Sequence, residues 1–366
     1  MNKRGKDALK ERVTAKKWRW LWPTVLALMM VLLTACGNSA GTPAESGSAD
    51  SNGGTSQQVD EIEITVTHYP TGLYAVPYIV GIEEGFFEEE GIRIKNIMGS
   101  SGGGTTVRNV LSGKLPFGEV STAAAIQSYL AGAPIKIVAG GVQSLSDLVY
   151  LTRKDADFEK PQDFIGHKWG YTTPGSVTET VSRLIFSSLG IGKDEVEMVA
   201  TGGINEGLTL LEQGEVDSAL MLEPAYSVEK DKWKTLFRAS QYVPHFQQSV
   251  IVTSPQIIEN NPDLVERFLR AYRKSVEWTY AHPEEAAKYF AKTAEIDEAA
   301  SISAVAEVAA FEHWSPVILP ESMKQVLVGM QAVGTLKNPD DIDWNDLLDQ
   351  RFLAEDERLD IEALKQ

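Results

Sequence analysis

A glycine-rich stretch at residues 98–106, Met-Gly-Ser-Ser-Gly-Gly-Gly-Thr-Thr, offers the clearest binding chemistry of the chain. It lies between a predicted strand and a predicted helix. Glycine allows the backbone to approach a ligand closely, and the free N–H groups at the start of a helix attract an anion. We therefore expect Ser101, Gly102 and Gly103 to contact a ligand, although a plain tight turn would need the same glycines.

The same stretch fits the G-x-S-x-G pattern of serine hydrolases, with Ser101 at its centre. A hydrolase would also need an acid and a histidine beside that serine. Four of the five histidines stand in no recognisable motif: His167, His245, His282 and His313. The sequence also lacks HExxH, EF-hand, P-loop and GxGxxG patterns. We therefore expect a protein without catalytic residues, metal or cofactor.

A second candidate loop, residues 172–176, precedes another predicted helix. Ser176 and Glu179 fit a capping box, in which both side chains satisfy free N–H groups at a helix start. Because this loop should face the glycine-rich stretch across a cleft, we expect ligand contacts from Thr173, Gly175 and Ser176. The alternative is that the loop only caps its helix.

Six further side chains follow predicted strands at the same sheet edge: His68, Tyr69, Tyr74, Ser121, Thr122 and Glu223. The aromatic rings could stack on a ligand, the hydroxyl groups could exchange hydrogen bonds with it, and the carboxylate could accept from a donor group. Each also has a simpler structural interpretation, as a packed ring, a helix cap or a solvated acid. We include all six in the predicted binding site.

The elements that would position these residues alternate between strand and helix. Strands are predicted at residues 62–67, 92–98, 117–121, 135–140, 148–153, 168–172, 196–200, 218–222 and 249–253, and helices at 73–90, 105–112, 122–130, 177–189 and 204–213. Beyond residue 261 the pattern is helical, at 283–293, 298–311 and 321–333 and in a first helix whose apolar face is Leu264, Val265, Phe268, Leu269 and Tyr272. Such alternation predicts an α/β fold with mixed, mostly parallel sheets, helices on both faces and loops gathered at one edge.

Two such lobes are expected, with chain crossings near residues 150 and 250. Residues 60–151 and 249–366 would form lobe 1, and residues 152–248 would form lobe 2. The crease between two lobes is a natural ligand cleft.

Composition and charge narrow the class of protein. The 366 residues are 43% hydrophobic and 23% charged, as in a folded globular protein, and carry a net charge of −17. The first 35 residues carry +6, which leaves −23 on the rest. A nucleic-acid binder would hold phosphates with lysine and arginine, so that class is not expected. The single cysteine excludes an internal disulfide framework and Cys-rich metal sites.

The positively charged first 35 residues are typical of a targeting segment. An apolar run at residues 20–33 is too short to span a bilayer and fits the core of a signal peptide, so residues 1–35 are predicted to be removed. Residues 33–36, Leu-Thr-Ala-Cys, resemble the lipobox of bacterial lipoproteins, which implies a lipid on Cys36. Residues 36–59 are rich in Gly, Ser and Ala and predict a flexible tether.

Several stretches of the body resemble the solute-binding lipoproteins of ABC importers for nitrate, sulfonates, taurine and thiamine-pyrimidine precursors. They lie at residues 72–76, 84–92, 111–118, 160–168, 174–176 and 211–219. The resemblance runs from about residue 64 to 293 and implies a two-lobed type II periplasmic-binding-protein fold that closes over one small solute. Glu119 departs from the family pattern, which has Asp there.

This resemblance implies a monomeric, non-enzymatic protein anchored at the extracytoplasmic face of the cell membrane that delivers its ligand to an ABC permease. The alternatives are a ligand-sensing lipoprotein without a permease and a pyrimidine-synthase-like enzyme. The latter uses a cysteine-rich motif, which this body lacks. The helix start at Gly102 offers N–H groups, while Glu119 and Glu223 are expected to face the same space. We therefore expect a ligand with an acceptor end and an amine or amidine-like end. A thiamine-pyrimidine precursor or taurine would fit better than nitrate.

Replacement of the only thiol tests the lipid anchor. In cells, Cys36→Ala should abolish both lipid labelling and sedimentation with membranes, because no other residue could carry the diacylglycerol. Co-sedimentation of the variant at the wild-type level would contradict the lipobox interpretation.

Overall fold

The computed structural model describes residues 59–100 and 102–365. Ten strands are present in this part of the chain: β1 Asp60–Thr67, β2 Ile92–Ser100, β3 Gly118–Ser121, β4 Lys136–Gly140, β5 Leu148–Thr152, β6 Lys168–Tyr171, β7 Glu197–Ala200, β8 Ala219–Leu222, β9 Lys234–Arg238 and β10 Ser249–Thr253. Its α-helices are α1 Val76–Glu83, α2 Phe86–Glu89, α3 Gly103–Leu111, α4 Thr122–Leu130, α5 Val177–Ser188, α6 Ile204–Gln213, α7 Ala225–Glu229, α8 Pro255–Asn260, α9 Pro262–Ala281, α10 Pro283–Ala294, α11 Glu298–Ala309, α12 Pro320–Ala332 and α13 Trp344–Leu347. The leader, the lipobox and Ser101 lie outside the described residues.

The strands form two separate groups, called the first and the second layer below. The first is a five-stranded sheet in the order β2-β1-β3-β10-β4. The second combines the sheet β8-β5-β9 with the pair β6-β7, which an isolated bridge between Trp169 and Ser218 connects to it. The predicted α/β architecture with mixed sheets is confirmed.

Antiparallel pairing is more common than the sequence suggested. Among the described strands, β1 pairs parallel with β2 and β3, and β6 with β7, whereas β5 and β10 each pair antiparallel with both neighbours. These two strands follow the chain crossings, and each enters its sheet in the direction opposite to its neighbours. Antiparallel pairs therefore outnumber parallel ones, contrary to the expected mostly parallel sheets.

The strand pairing also shows where the chain passes from one layer to the other. β5 pairs only with β8 and β9, so the boundary drawn at residue 151 cuts through a strand of the second layer. The chain leaves the first sheet between Gly140 and Leu148 and returns to it at Ser249. The division into two lobes stays a prediction.

Helix α9 has the buried face that its periodicity predicts, with Leu264, Val265, Phe268, Leu269 and Tyr272 all in the core. Phe268 stacks on Phe117, with ring centroids 3.9 Å apart, and this contact holds α9 against the first sheet. The long helix expected at residues 73–90 is instead a 3-10 turn followed by α1 and α2. It breaks at Gly85, whose φ of 75° lies in the left-handed region.

Not all of the C-terminal part packs on the first sheet. Helix α12 lies against α5 of the second layer and also contacts α4. One apolar cluster accordingly includes Val120 of β3, Tyr150 of β5 and Met323 of α12. No helix within residues 59–100 and 102–365 is long and apolar enough to cross a bilayer.

Two adjacent glycines at the start of α3 differ in what surrounds them. A Cβ on Gly103 would lie 2.4 Å from Cβ of Ala124 and 2.9 Å from Cγ2 of Val120, so this glycine is needed for α3 to pack on α4. A Cβ on Gly104 would meet only the end of the Arg108 side chain, at 3.5 Å.

This difference predicts opposite outcomes for the same chemical change. Gly103→Ala should lower the free energy of unfolding by about 1–3 kcal/mol, because it overpacks a helix contact. Gly104→Ala should leave it unchanged or raise it by up to about 1 kcal/mol, since alanine favours the helix. Urea denaturation of both variants tests this, and equal effects would contradict the packing described here.

Candidate functional site

A cavity of about 540 Å³ is lined by residues from both sheet layers. This volume is typical of a pocket for one small molecule. The loops after β1, β2 and β3 contribute from the first sheet, and those after β6, β7 and β8 from the second.

Four helices begin at the cavity. Ser121 caps α4, where its Oγ accepts from the Ala124 N–H at 3.4 Å, and Ser176 caps α5, where its Oγ accepts from the Glu179 N–H at 3.2 Å. Gly102 and Gly203 precede α3 and α6 and provide no side-chain cap. The first N–H groups of α3 and α6 are thus not capped by the preceding residue, and helix starts of this kind favour an acceptor-rich ligand group.

The predicted capping box at α5 is half correct. The Glu179 carboxylate accepts from the N–H of Gly175 at 2.7 Å rather than from that of Ser176. The carbonyl oxygen of Gly175 in turn accepts from Nε2 of Gln127 on α4 at 3.3 Å. With a φ of 75°, Gly175 forms a turn that suits glycine, and Gln127 ties this turn to the first-sheet side of the cavity.

The structure brings together most of the residues that the sequence selected. Nine line the cavity: His68, Tyr74, Gly102, Gly103, Ser121, Thr173, Gly175, Ser176 and Glu223. Tyr69 and Thr122 do not line it. Thr122 is the first residue of α4 and is fully buried. Ser101 lies outside the described residues. Their role in binding remains a proposal.

Sequence reasoning missed two adjacent polar residues in the cavity wall, Asp147 and Gln248. Nε2 of Gln248 donates to Oδ1 of Asp147 at 2.8 Å. Each residue directly precedes a crossing strand, β5 or β10. In a parallel sheet that position would lie at the edge opposite the ligand, and no signal in the sequence shows that these two strands run antiparallel.

Glu223 is present in the wall but already has partners. Its side chain is fully buried, and its Oε1 accepts from Nη2 of Arg238 at 2.7 Å. Its Oε2 accepts from the Oγ and N–H of Ser227, at 2.8 and 3.1 Å. Glu223 therefore has little capacity left for the ligand donor group that the sequence analysis assigned to it.

Asp147 differs from Glu223 in its surroundings. It is 4% exposed, and burial raises the pKa of its carboxyl to about 7. The nearby Glu223 also raises this pKa, whereas the hydrogen bond from Gln248 and the charge of Arg238 lower it. Asp147 can thus change its protonation state near neutral pH when a ligand arrives.

Glu119 does not line the cavity, contrary to the expectation that it faces the ligand. It is fully buried on β3, where burial raises its pKa to about 7 and its Oε1 accepts from Oγ of Ser249 at 2.6 Å. Ser249 also lies beside the hydroxyl of Tyr74, a residue of the cavity wall. Glu119 therefore lies beneath the site and not at its surface.

Of the histidines, only His68 lines the cavity. His313 is fully buried beside the first crossing, with Nδ1 2.8 Å from Oγ of Ser144. Burial lowers its pKa to about 3, so it is neutral at physiological pH. Across residues 59–100 and 102–365, no three His, Asp or Glu side chains are grouped so as to hold a metal ion.

Comparison with known proteins agrees with this architecture. A family model described as NMT1/THI5 like matches residues 73–286. The chain is 25% identical over 310 residues to a formylaminopyrimidine-binding protein from Halalkalibacterium halodurans, an alignment that covers 82% of this chain and 90% of that protein. The predicted family resemblance is confirmed.

Two solved structures have the same fold. The periplasmic aliphatic sulphonate binding protein SsuA from Escherichia coli has a TM-score of 0.63 at 16% identity, covering 82% of this chain and 96% of its own. The periplasmic nitrate-binding protein NrtA from Synechocystis PCC 6803 has a TM-score of 0.65 at 13% identity, covering 81% and 87%. These likenesses confirm the predicted periplasmic-binding-protein fold.

The ion pair between Glu223 and Arg238 predicts a large stability effect. Arg238→Met should lower the free energy of unfolding by about 3 kcal/mol at pH 7, because it leaves a buried carboxylate without its cation. The double variant Glu223→Gln/Arg238→Met should recover part of that loss.

The control is Arg93→Met, which breaks pairs with Glu61 and Glu88 that are about half exposed. It should change stability by less than about 1 kcal/mol. Chemical denaturation measures all three variants, and equal losses for the two single variants would contradict the role of Arg238.

Proposed function

The chain belongs to the NMT1/THI5-like family, and from this premise we propose that it is the solute-binding component of an ABC importer. It captures a small polar ligand outside the cytoplasm and delivers it to a membrane permease. The observation that carries this proposal is the cavity of about 540 Å³ in which helix starts from both sheet layers meet. Such a site binds a solute without needing a nucleophile or a general base.

The related proteins support the same function. The relative from H. halodurans and the two structural neighbours are named for binding formylaminopyrimidine, aliphatic sulphonates and nitrate, respectively. All three names describe the binding of a small polar molecule. Our proposal extends that general role, not any one of those ligands, to this chain.

We further propose how the protein works at the membrane. Cys36 carries the lipid, residues 36–59 form the tether, and the folded body acts as a monomer. The two crossings, between Gly140 and Leu148 and at Ser249, act as hinges about which two lobes close over the ligand. The contact between Gln127 and Gly175 would then belong to the closed form.

Two alternatives make different predictions. A ligand-sensing lipoprotein would have the same cavity but no permease, and the absence of permease and ATPase genes beside its own would favour it. A pyrimidine-synthase-like enzyme would need the cysteine-rich motif associated with iron, and Cys36 is the only cysteine of the sequence. We therefore favour the transport role.

A thermal-shift screen tests solute binding directly. The tag-free body should be heated with sulfonates, nitrate, taurine, aminopyrimidines and amidines. A ligand present at a hundredfold excess over its dissociation constant stabilises the folded state by about 2.7 kcal/mol, which corresponds to a rise of a few degrees in Tm.

A cavity-filling variant provides the control. Thr173 lies exposed on the cavity wall, so Thr173→Trp should abolish the shift by occupying the ligand's space without disturbing the core. Asn260→Trp, at an exposed position of α8 that does not line the cavity, should keep it. Failure of every compound to stabilise the wild type, or equal shifts in both variants, would contradict the proposed function.

A further inference from the structure

The charged residues that line the cavity all carry the same sign of charge. Among the described residues that line it, none is Lys or Arg, whereas Asp147, Glu206 and Glu223 are all acids. A purely anionic ligand would have to rely on helix N–H groups alone, and it would face these carboxylates at close range. The wall is thus better suited to a ligand with N–H donors.

The three acids are not equivalent. Both oxygens of Glu223 are engaged by Arg238 and Ser227, so this carboxylate has little capacity left for a ligand. Glu206 is exposed in the first turn of α6, and its carboxylate lies against Gly203. Water screens such an exposed acid, so its interaction with a ligand would be weak.

Asp147 combines burial with free capacity. The hydrogen bond from Gln248 at 2.8 Å is the one that its carboxylate accepts from another side chain within residues 59–100 and 102–365. A carboxylate has room for about four hydrogen bonds. Because Asp147 is only 4% exposed, a partner in the cavity would be shielded from water.

We propose that Asp147 is the residue that selects the ligand, by accepting hydrogen bonds from an amine or amidine-type group. This inference rests on the proposed solute-binding function and specifies its ligand class. The acceptor end of the same ligand lies at the starts of α3 and α6. Glu223 and Arg238 keep the neighbouring wall fixed and nearly neutral in charge.

Binding to Asp147 should be linked to its ionisation. Burial raises its pKa to about 7, so most of the free protein holds a proton there at pH 6. An ammonium group favours the ionised carboxylate and expels that proton. Affinity for a ligand whose own charge is constant should therefore rise as the pH increases from 6 to 8.

The other titratable groups near Asp147 can be separated from it. Glu223 and Arg238 form an ion pair, and burial raises the pKa of Tyr74, so its hydroxyl stays neutral in this range. His313, which lies near the preceding Ser146, is neutral with a pKa of about 3. Desolvation lowers the pKa of His68, the histidine of the cavity wall, so its imidazole is neutral over most of this pH range. Glu119 does titrate near pH 7, but it lies behind Tyr74 rather than in the cavity wall.

Two matched pairs of compounds test the proposal by calorimetry. Taurine differs from ethanesulfonate by an ammonium group, and 4-aminopyrimidine differs from pyrimidine by an amino group. The wild type should bind the amino member of at least one pair about tenfold or more tightly than its partner, as expected for a hydrogen bond to a charged group. Asp147→Asn should reduce that preference to less than about threefold while keeping the contact to Gln248.

The pH dependence separates a ligand contact from a structural role. The wild-type affinity for taurine should rise from pH 6 to 8, the Asp147→Asn variant should lose this slope, and Glu119→Gln should keep it. For an aminopyrimidine ligand, whose ring can itself take a proton, the loss of the amino preference in Asp147→Asn is the deciding measurement. A melting temperature of Asp147→Asn that is no lower than that of the wild type checks that the variant is folded, since Asn removes the cost of ionising a buried carboxyl.

The outcomes test the role of Asp147 separately from the proposed solute-binding function. Wild-type preference for ethanesulfonate, nitrate or another ligand without N–H donors would overturn the role of Asp147 while solute binding stands. An amino preference that persists in Asp147→Asn would do the same. Failure of every compound in the screen and in both pairs to bind would overturn both proposals.

Discussion

The Arg238 guanidinium connects the parts of the protein that form the binding site. It donates to the carbonyl oxygen of Ser146 on the first crossing and to the buried carboxylate of Glu223, each at 2.7 Å. Its Nε lies 3.3 Å from Oε1 of Glu307 on α11. One side chain thus joins the crossing, the end of β8 and a helix of the C-terminal part. Without its positive charge, two neighbouring buried acids, Glu223 and Asp147, would repel each other in a medium that screens them poorly.

The site combines two opposite electrostatic features. The starts of α3, α4, α5 and α6 contribute residues to the cavity wall, so the positive ends of these helix dipoles lie beside it. The wall also holds Asp147, together with Glu223, whose partner is Arg238. The helix starts suit the acceptor groups of a ligand, whereas a buried acid responds to its donor groups. The acids of the wall are therefore where we place the specificity of this chain.

Beneath the cavity floor lies a polar layer inside the first sheet. Glu119 lies within interaction range of Ser249 and of the hydroxyl groups of Tyr74 and Tyr78, and all four side chains are buried. A Cβ on Gly141 would lie 2.5 Å from Oε1 of Glu119, so the backbone passes close to this carboxylate. The Glu119 side chain lies near Tyr74 but does not line the cavity.

The sequence alone predicted the α/β class, the amphipathic face of α9 and the loops at Gly102 and Gly175. These features could be predicted because hydrophobic periodicity, helix caps and glycines are local signals. It also predicted nine of the residues that line the cavity. Only the tertiary structure revealed Asp147, Gln248 and the partner of Glu223. The direction of a strand depends on long-range pairing, and in a parallel sheet the start of β5 would lie at the edge far from the ligand. In fact Leu148 lies opposite Leu222, at the ligand edge, because β5 runs antiparallel to β8. Likewise, Arg238 is 15 residues from Glu223 in sequence, and only the fold brings the two charges together.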